Sequence, residues 1–425
     1  MSILSDLMAS LIDRNYLRLT PVEDDDRSLS DLIQDLLSAH GDVSGMKMAR
    51  QVLDRYDGFE HTEKRAFFQM LRTALDIDSV SVRHSLDQYE LQPTKANYAA
   101  FASAAEPKRK ELIQRLNQVE GATHRLVLMR ADLQKMIAQD PDLDVIDRDI
   151  KHLFQSWFNR GFLVLRPINW LSPANVLEKI IAYEAVHAIT SWDELRRRLA
   201  PDDRRCFAFF HPAMPDEPLI FVEVALTKGI PSSIQAVLEQ DRDVADPKRT
   251  DTAVFYSISN CQSGLAGISF GNSLIKQVVN DLSRSLPNLK AFVTLSPIPG
   301  LRKWAKSCNK EDGLLDQNRA SEIAAQYLLT AKDKGGLPLD PVARFHLGNG
   351  AMVEAIHNQA DLSQNGVAQS AGVMVNYLYD LSRLTINVEK FSSAKEVSAS
   401  SPVKTLARRA KKFEKQSIPM ALNNE

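Results

Sequence analysis

The strongest constraint in this sequence is a change of hydrophobic period near Phe158. Before it, from about residue 28 to 157, apolar residues recur at three-to-four spacing. "SLSDLIQDLLSAHG" opens on cap-type serines and closes on Gly41. "SGMKMARQVLDRYDGF", "HTEKRAFFQMLRTAL", "KRKELIQRLNQVEGATHRLVLMRADLQKMI" and "LDVIDRDIKHLFQSWF" carry the same spacing. A period of 3.6 lays one apolar stripe along each segment, so these segments predict a bundle of helices. No constellation of reactive side chains accompanies them. Packing or self-association is the role this leaves.

After Phe158 apolar residues run together or alternate. "GFLVLRPINW" and a helical "SPANVLEKIIAYEAVH" lead into "RRCFAFFHPAMPDEPLIFVEVALTKG". There two apolar runs, 206–210 and 218–226, flank a segment rich in turn residues, the pattern of a β-hairpin. Further strands are expected at 252–259, 291–295, 344–347 and 372–379, with an amphipathic helix at 271–286. The expectation is an α+β chain: a helical bundle over 1–158, then an α/β domain over 159–425. The polar stretch 392–401 reads as a flexible linker, and the basic "KTLARRAKKFEK" at 404–415 as a solvated helix.

Composition narrows the partners. A chain of 425 residues with a formal net charge of -2 has two domains' worth of length and no basic excess to hold nucleic acid. Cys206, Cys261 and Cys308 show no metal-ligand spacing and suit a reducing compartment. The first twenty residues carry Asp6 and Asp13 and fit neither a secretory nor a transit signal, and no apolar run is long enough to span a membrane. A cytoplasmic protein is expected.

Chemistry enters with "FYSISNCQSGLAGISFGNSLIKQVV". A strand runs into a turn bearing Gly264, Gly267 and Gly271, and a helix follows. Glycines let backbone N–H groups approach an anion closely, as phosphate-binding turns require. Led by Gln262, the turn resembles the pyrophosphate-gripping element of GNAT-type acetyltransferases, which points to a coenzyme A ester held between two splayed strands. Ser296 ends the next strand, and Pro297 and Pro299 stiffen the chain beyond it, holding the hydroxyl at the rim of the sheet. His346, between Phe345 and Leu347, is the imidazole suited to proton transfer near neutrality. His211 and His357 compete with it on spacing alone. No GxSxG elbow accompanies Ser296, which argues against a serine hydrolase.

Taken in order, "FYSISNCQSGLAGISFGNSLIKQVV", "LSPIPGLRKW", "PVARFHLGNGA" and "GVMVNYLY" resemble the malonyl-CoA decarboxylase family. With "SPANVLEKIIAYEAVH" and the helical part, the resemblance covers nearly the whole chain. It implies a helical domain followed by a GNAT-type catalytic domain, and conversion of malonyl-CoA to acetyl-CoA and carbon dioxide without a metal or organic cofactor. It also implies that Ser296 and His346 are the active residues and that Tyr379 lies at the site. The segment Ala266, Gly267, Ile268, Ser269, Phe270, Gly271 and Asn272 would carry the coenzyme A pyrophosphate. Where some members have a glutamate in that turn, this sequence has Ser269. Arg302 and Lys303 are candidates for the 3′-phosphate, and the helical domain for homo-oligomerisation. The alternatives are an acyl-CoA-dependent acyltransferase on the same fold and a non-catalytic acyl-CoA sensor.

Overall fold

The computed structural model describes residues 26–39, 41–268 and 274–417, which divide into two compact units. One unit runs to Trp157 and takes in Ser263–Ile268. The other comprises Phe158–Gln262 and Ser269–Glu425.

The first unit is helical, from Leu29–Ser38 to Asp144–Trp157. Ser28 caps the first of these helices by accepting the Asp31 N–H at 3.1 Å, as its place before an apolar run predicts. Gly121, at φ 72°, breaks the long segment expected over 108–137 into Lys108–Leu116 and Ala122–Ile137. The apolar stripes close on rings such as Tyr56, which meets Phe67 and Phe68 at centroid distances of 5.1 and 5.9 Å. Ser263–Ile268 is pinned to this unit by Arg130. Its guanidinium donates to the Gly264 and Ala266 carbonyls at 2.7 and 3.0 Å while Asp147 holds its other edge. Gly264 has no alternative here: a Cβ would stand 1.8 Å from the Val127 carbonyl oxygen.

The second unit is built on an eight-stranded mixed sheet of order β1-β2-β3-β4-β5-β8-β6, with β7 also paired to β8. The strands are β1 (Val164–Ile168), β2 (Arg204–Phe210), β3 (Ile220–Thr227), β4 (Thr252–Asn260), β5 (Ala291–Thr294), β6 (Ser296–Pro297), β7 (Met352–His357) and β8 (Met374–Leu378). The hairpin expected around "HPAMPDEP" is β2–β3, antiparallel from Arg204↔Ala225 to Phe209↔Ile220. Alternation sends Phe207, Phe209, Val222, Val224 and Phe255 to one face, against Ile275, Val278 and Leu282 of the helix Leu274–Ser285. Cys206, Ala208, Phe210 and Phe221 go to the other face, against Val176, Ile180 and Leu195.

The feature that positions the site is a parting of β4 from β5. They pair in parallel only from Thr252↔Ala291 to Phe255↔Thr294. Beyond this, Ser296 and Pro297 turn to β8 and pair with Val375 and Met374, while β4 continues to Asn260. A register shift at Glu223/Val224, opposite β4, marks a bulge at the same level, the usual device for bending a strand away from its neighbour. The second unit is thus a mixed sheet flanked by helices on both faces, and the chain as a whole is helical first and mixed α/β after.

Three local expectations are overturned. Residues 344–347 are not a strand but lie in the helix Pro341–Gly348. Asp340 caps this helix and Pro341 occupies its first position, a helix-start pair that outweighs the apolar Phe-His-Leu run. The stretch 392–401 is not a loose linker. The helix Leu384–Ala394 enters it, Ala399 is buried and bridged to Val353, and Ser400 donates its N–H and its hydroxyl to the Val353 and Glu354 carbonyls of β7. The helix Ser401–Ser417 is not solvated all round, because Val403, Ala407 and Ala410 are buried beneath its basic face. No helix among the described residues is long and apolar enough to cross a membrane.

Candidate active site

Where β4 and β5 part, a cavity of about 240 Å³ opens, lined by Val186, Phe255, Tyr256, Leu295, Val342 and Phe345 together with Ser296 and His346. Among the described residues, none of its lining side chains is an aspartate, glutamate, lysine or arginine.

Ser296 and His346 meet here. Ser296 Oγ lies 3.2 Å from His346 Nε2, and His346 Nδ1 lies 2.7 Å from the Tyr379 hydroxyl. Ser296 Oγ also donates to Thr294 Oγ1 at 2.8 Å, and Thr294 Oγ1 accepts the Tyr377 N–H at 3.1 Å. One tautomer runs the series in a single direction. Tyr379 donates to Nδ1, Nε2–H donates to Ser296, and Ser296 donates to Thr294. Burial pushes the His346 pKa down to about 3, so the ring is neutral at pH 7, and in this tautomer its single N–H is at Nε2. Burial raises the Tyr379 phenol well above its ordinary value, and it stays protonated. The imidazole is stacked on Tyr377, centroids 4.6 Å apart and planes 24° from parallel, which leaves it little freedom to turn.

The supports of this group are as specific as the group itself. Asp340 accepts the Ala343 N–H at 2.9 Å, capping the helix that carries His346. It also accepts the Gly300 N–H at 3.4 Å, just beyond the Ser296–Pro299 stretch, and the Tyr327 hydroxyl. One carboxylate therefore ties the serine's segment to the histidine's helix. Burial raises the pKa of Asp340. On the splayed half of β4, Glu184 accepts the Val186 and His187 N–H groups, both at 2.8 Å, and the Ser257 and Ser259 hydroxyls at 2.7 and 3.3 Å. It fixes the loop whose Val186 forms one wall of the cavity. Sequence reasoning missed Thr294, Asp340 and Glu184. Only Asp340 carried a local signal, the Asp-Pro pair.

The other expected residues are dispersed. His211 packs on Phe158 with centroids 5.0 Å apart, and its Nδ1 accepts the Ala213 N–H. His357 bonds the Asn376 side chain, which in turn donates to the Thr294 carbonyl at 2.8 Å. Gln262 donates to the Pro218 carbonyl at 3.1 Å. Arg302 is engaged by Glu311 at 2.9 Å, and Lys303 is exposed. Ala266, Gly267 and Ile268 belong to the turn in the helical unit, with Gly267 at φ 72° and Ile268 buried. Ser269, Phe270, Gly271 and Asn272 lie outside the described residues.

A hydroxyl, an imidazole and a phenol thus stand in series beside the cleft where the sheet parts. Comparison with known proteins is more specific. Residues 75–158 match the malonyl-CoA decarboxylase N-terminal domain, and 161–322 with 309–417 match the C-terminal domain. Crystal structures of malonyl-CoA decarboxylase from Rhodopseudomonas palustris and Agrobacterium vitis superpose with TM-scores of 0.85 and 0.84 at 45% and 47% identity. They cover 89% of this chain and 98% and 99% of theirs. Mitochondrial malonyl-CoA decarboxylase of Anser anser anser is 37% identical over 348 residues, 70% of this chain and 69% of that protein. The chain belongs to the malonyl-CoA decarboxylase family, and with it to the carboxy-lyases.

Proposed function

We propose that this chain converts malonyl-CoA to acetyl-CoA and carbon dioxide, with Ser296 and His346 as the catalytic pair and Tyr379 holding the imidazole. The observation that carries the reading is the hydrogen-bonded series Ser296–His346–Tyr379 beside a cavity without charged walls.

Loss of carbon dioxide from a malonyl thioester moves negative charge from the carboxylate to the thioester oxygen, as an enolate. A cation beside the carboxylate would stabilise the ground state and slow this movement. Uncharged walls offer the carboxylate no such partner, and that favours the step in which its charge disperses. Fixed donors aimed at the enolate oxygen act in the opposite sense, each worth roughly 3 kcal/mol in a site of this kind. In this reading Ser296 hydrogen-bonds the malonyl group, and His346 Nε2–H meets the enolate oxygen as it forms. The same N–H then protonates the α-carbon. The net reaction takes up one proton, which returns to the imidazole from solvent. Tyr379, donating to Nδ1, fixes both the tautomer and the direction in which Nε2–H points.

The test is an incubation with malonyl-CoA alone. Acetyl-CoA and carbon dioxide should appear in equal amounts with no acceptor added, which separates a decarboxylase from an acyltransferase or a sensor. Ser296→Ala should lower kcat by about 10²- to 10³-fold and leave coenzyme A ester binding intact. Unchanged turnover in that variant would remove Ser296 from the mechanism.

A further inference from the structure

A second cavity, of about 380 Å³, lies within the catalytic unit and shares no lining residue with the cleft beside Ser296. Arginine dominates its walls: Arg197, Arg198, Arg204 and Arg242 line it, against two acids, Glu194 and Glu239. Its acceptors are spent and its donors are not. Glu194 Oε2 accepts the Thr190 N–H and hydroxyl, both at 2.9 Å, and Oε1 accepts Arg198 at 2.9 Å. Asp203, buried, takes Arg242 on both carboxylate oxygens and Arg204 at 3.4 Å. Glu239 is exposed and pairs with none of the four arginines.

The donors tell the other half. Arg204 gives its terminal nitrogens to the Asp203 and Val237 carbonyls, at 3.2 and 2.6 Å, and burial lowers its pKa despite the Asp203 carboxylate beside it. Arg198 is buried and bonds Glu223 and Glu194, yet its Nε has no partner among the described residues. Arg197, exposed, forms no hydrogen bond or ion pair with the described residues. A buried N–H without an acceptor is costly, and native proteins seldom leave one. Guanidinium forks match the paired oxygens of a carboxylate or a phosphate, and a volume above roughly 300 Å³ is that of a small-molecule site.

We infer that this cavity binds a small oxyanion carrying two or more negative charges, with Arg197 and the Arg198 Nε–H as its donors. The ligand is not the group that reacts at Ser296, because the two cavities have no wall in common. The inference therefore stands apart from the decarboxylase reading. Dicarboxylates and phosphates share this chemistry, and separate titrations distinguish them.

The test is calorimetric titration of the full chain with malonate, with inorganic phosphate and with acetate, at constant ionic strength. At least one of the dianions should bind saturably at one site, about ten-fold or more tighter than acetate, and the tighter of the two names the class. Arg197→Met keeps the aliphatic stem and breaks no contact within the fold, so the unfolding midpoint should not move. It should weaken that dianion about ten-fold. Arg196→Met is the control: it removes the same charge from the same helix, but Arg196 lies over the Trp170 ring, 5.7 Å from its centroid, and does not line the cavity. Its affinity should equal that of wild type. No saturable binding of either dianion would overturn the inference. Unchanged affinity in Arg197→Met would do so by placing the anion elsewhere, and equal weakening in both variants would reduce the effect to surface charge.

Discussion

The two faces of the catalytic sheet use polar groups in opposite ways. On the face of Val222 and Val224, His346 is bonded to the hydroxyls of Ser296 and Tyr379, and Ser296 in turn to Thr294, all of them neutral. On the face of Glu223 the buried polar groups include ions. Arg198 donates to Glu223 at 3.1 Å and to Glu194 at 2.9 Å, and Asp203 is shared by Arg204 and Arg242. A neutral hydrogen bond is worth about 1 kcal/mol net, so it can exchange its partner for a substrate at small cost. A buried ion pair resists such exchange, because removing one partner strands the other charge in a poor dielectric. The difference suggests a division of labour: the neutral face for chemistry, the ionic face for shape. Each prediction below either breaks that division or sharpens it.

The largest effect should fall on the neutral face and on rate alone. His346→Asn should lower kcat by about 10²- to 10⁴-fold while shifting the thermal midpoint by only a few degrees. Because burial holds the imidazole pKa at about 3, the wild-type kcat profile should show no His346 limb near the ordinary histidine value. A limb there that vanished in the variant would mean that the ring titrates during turnover, and the neutral-face picture would be lost.

On the ionic face the effect should fall on stability. Arg198→Met leaves Glu223, fully buried, and Glu194 without their guanidinium, and should destabilise the fold by about 3–5 kcal/mol in urea unfolding. In the cold, where the variant remains folded, kcat should stay within a few-fold of wild type. A hundred-fold loss there would place Arg198 in the chemistry and end the division.

Gly300 stands where both demands coincide. A Cβ on it would come within 2.1 Å of the Tyr327 hydroxyl, which bonds Asp340, and Asp340 caps the His346 helix. Gly300→Ala should therefore cost about 1–3 kcal/mol of stability and lower kcat as well. Tyr327→Phe, which removes only the clashing oxygen, should restore part of both in the double variant. Independent, additive effects of the two substitutions would show that the contact does not couple them.

Local signals carried the fold further than the site. The β2–β3 hairpin was legible because alternation and a proline-rich turn agree over one short stretch. The segment 344–347 misled because Phe345, His346 and Leu347 read as an apolar run, although Asp340 and Pro341 just upstream specify a helix start. The tail 392–401 was unreadable for another reason: small polar residues look like linker until Ala399 is seen against Val353 of β7. At the site, Ser296 had its prolines and His346 its chemistry to single them out, but their 3.2 Å contact depends on β5 parting from β4, which no short window encodes. Glu184 and Glu223 were invisible because their pairings, with the Ser257 and Ser259 hydroxyls and with Arg198, join elements distant in sequence.

The variant with the smallest effect on rate sharpens the comparison most, because its stability is read on the ionic face as a function of pH. Burial raises the Glu223 carboxyl to about 7, against the opposing pull of Arg198, while Glu184 adds to the rise. A carboxyl whose folded pKa lies above its ordinary value of about 4.5 binds its proton more tightly folded than unfolded. Its contribution to stability is complete below about 4.5 and is lost as pH rises through about 7. Glu223→Gln cannot ionise and so lacks this loss. Relative to wild type, the variant should gain of order 3 kcal/mol in urea unfolding between about pH 4.5 and 8, with kcat little altered. Parallel stability curves across that window would mean that Arg198 keeps Glu223 charged throughout, and that the buried pair is a fixed ion pair and not a protonatable one.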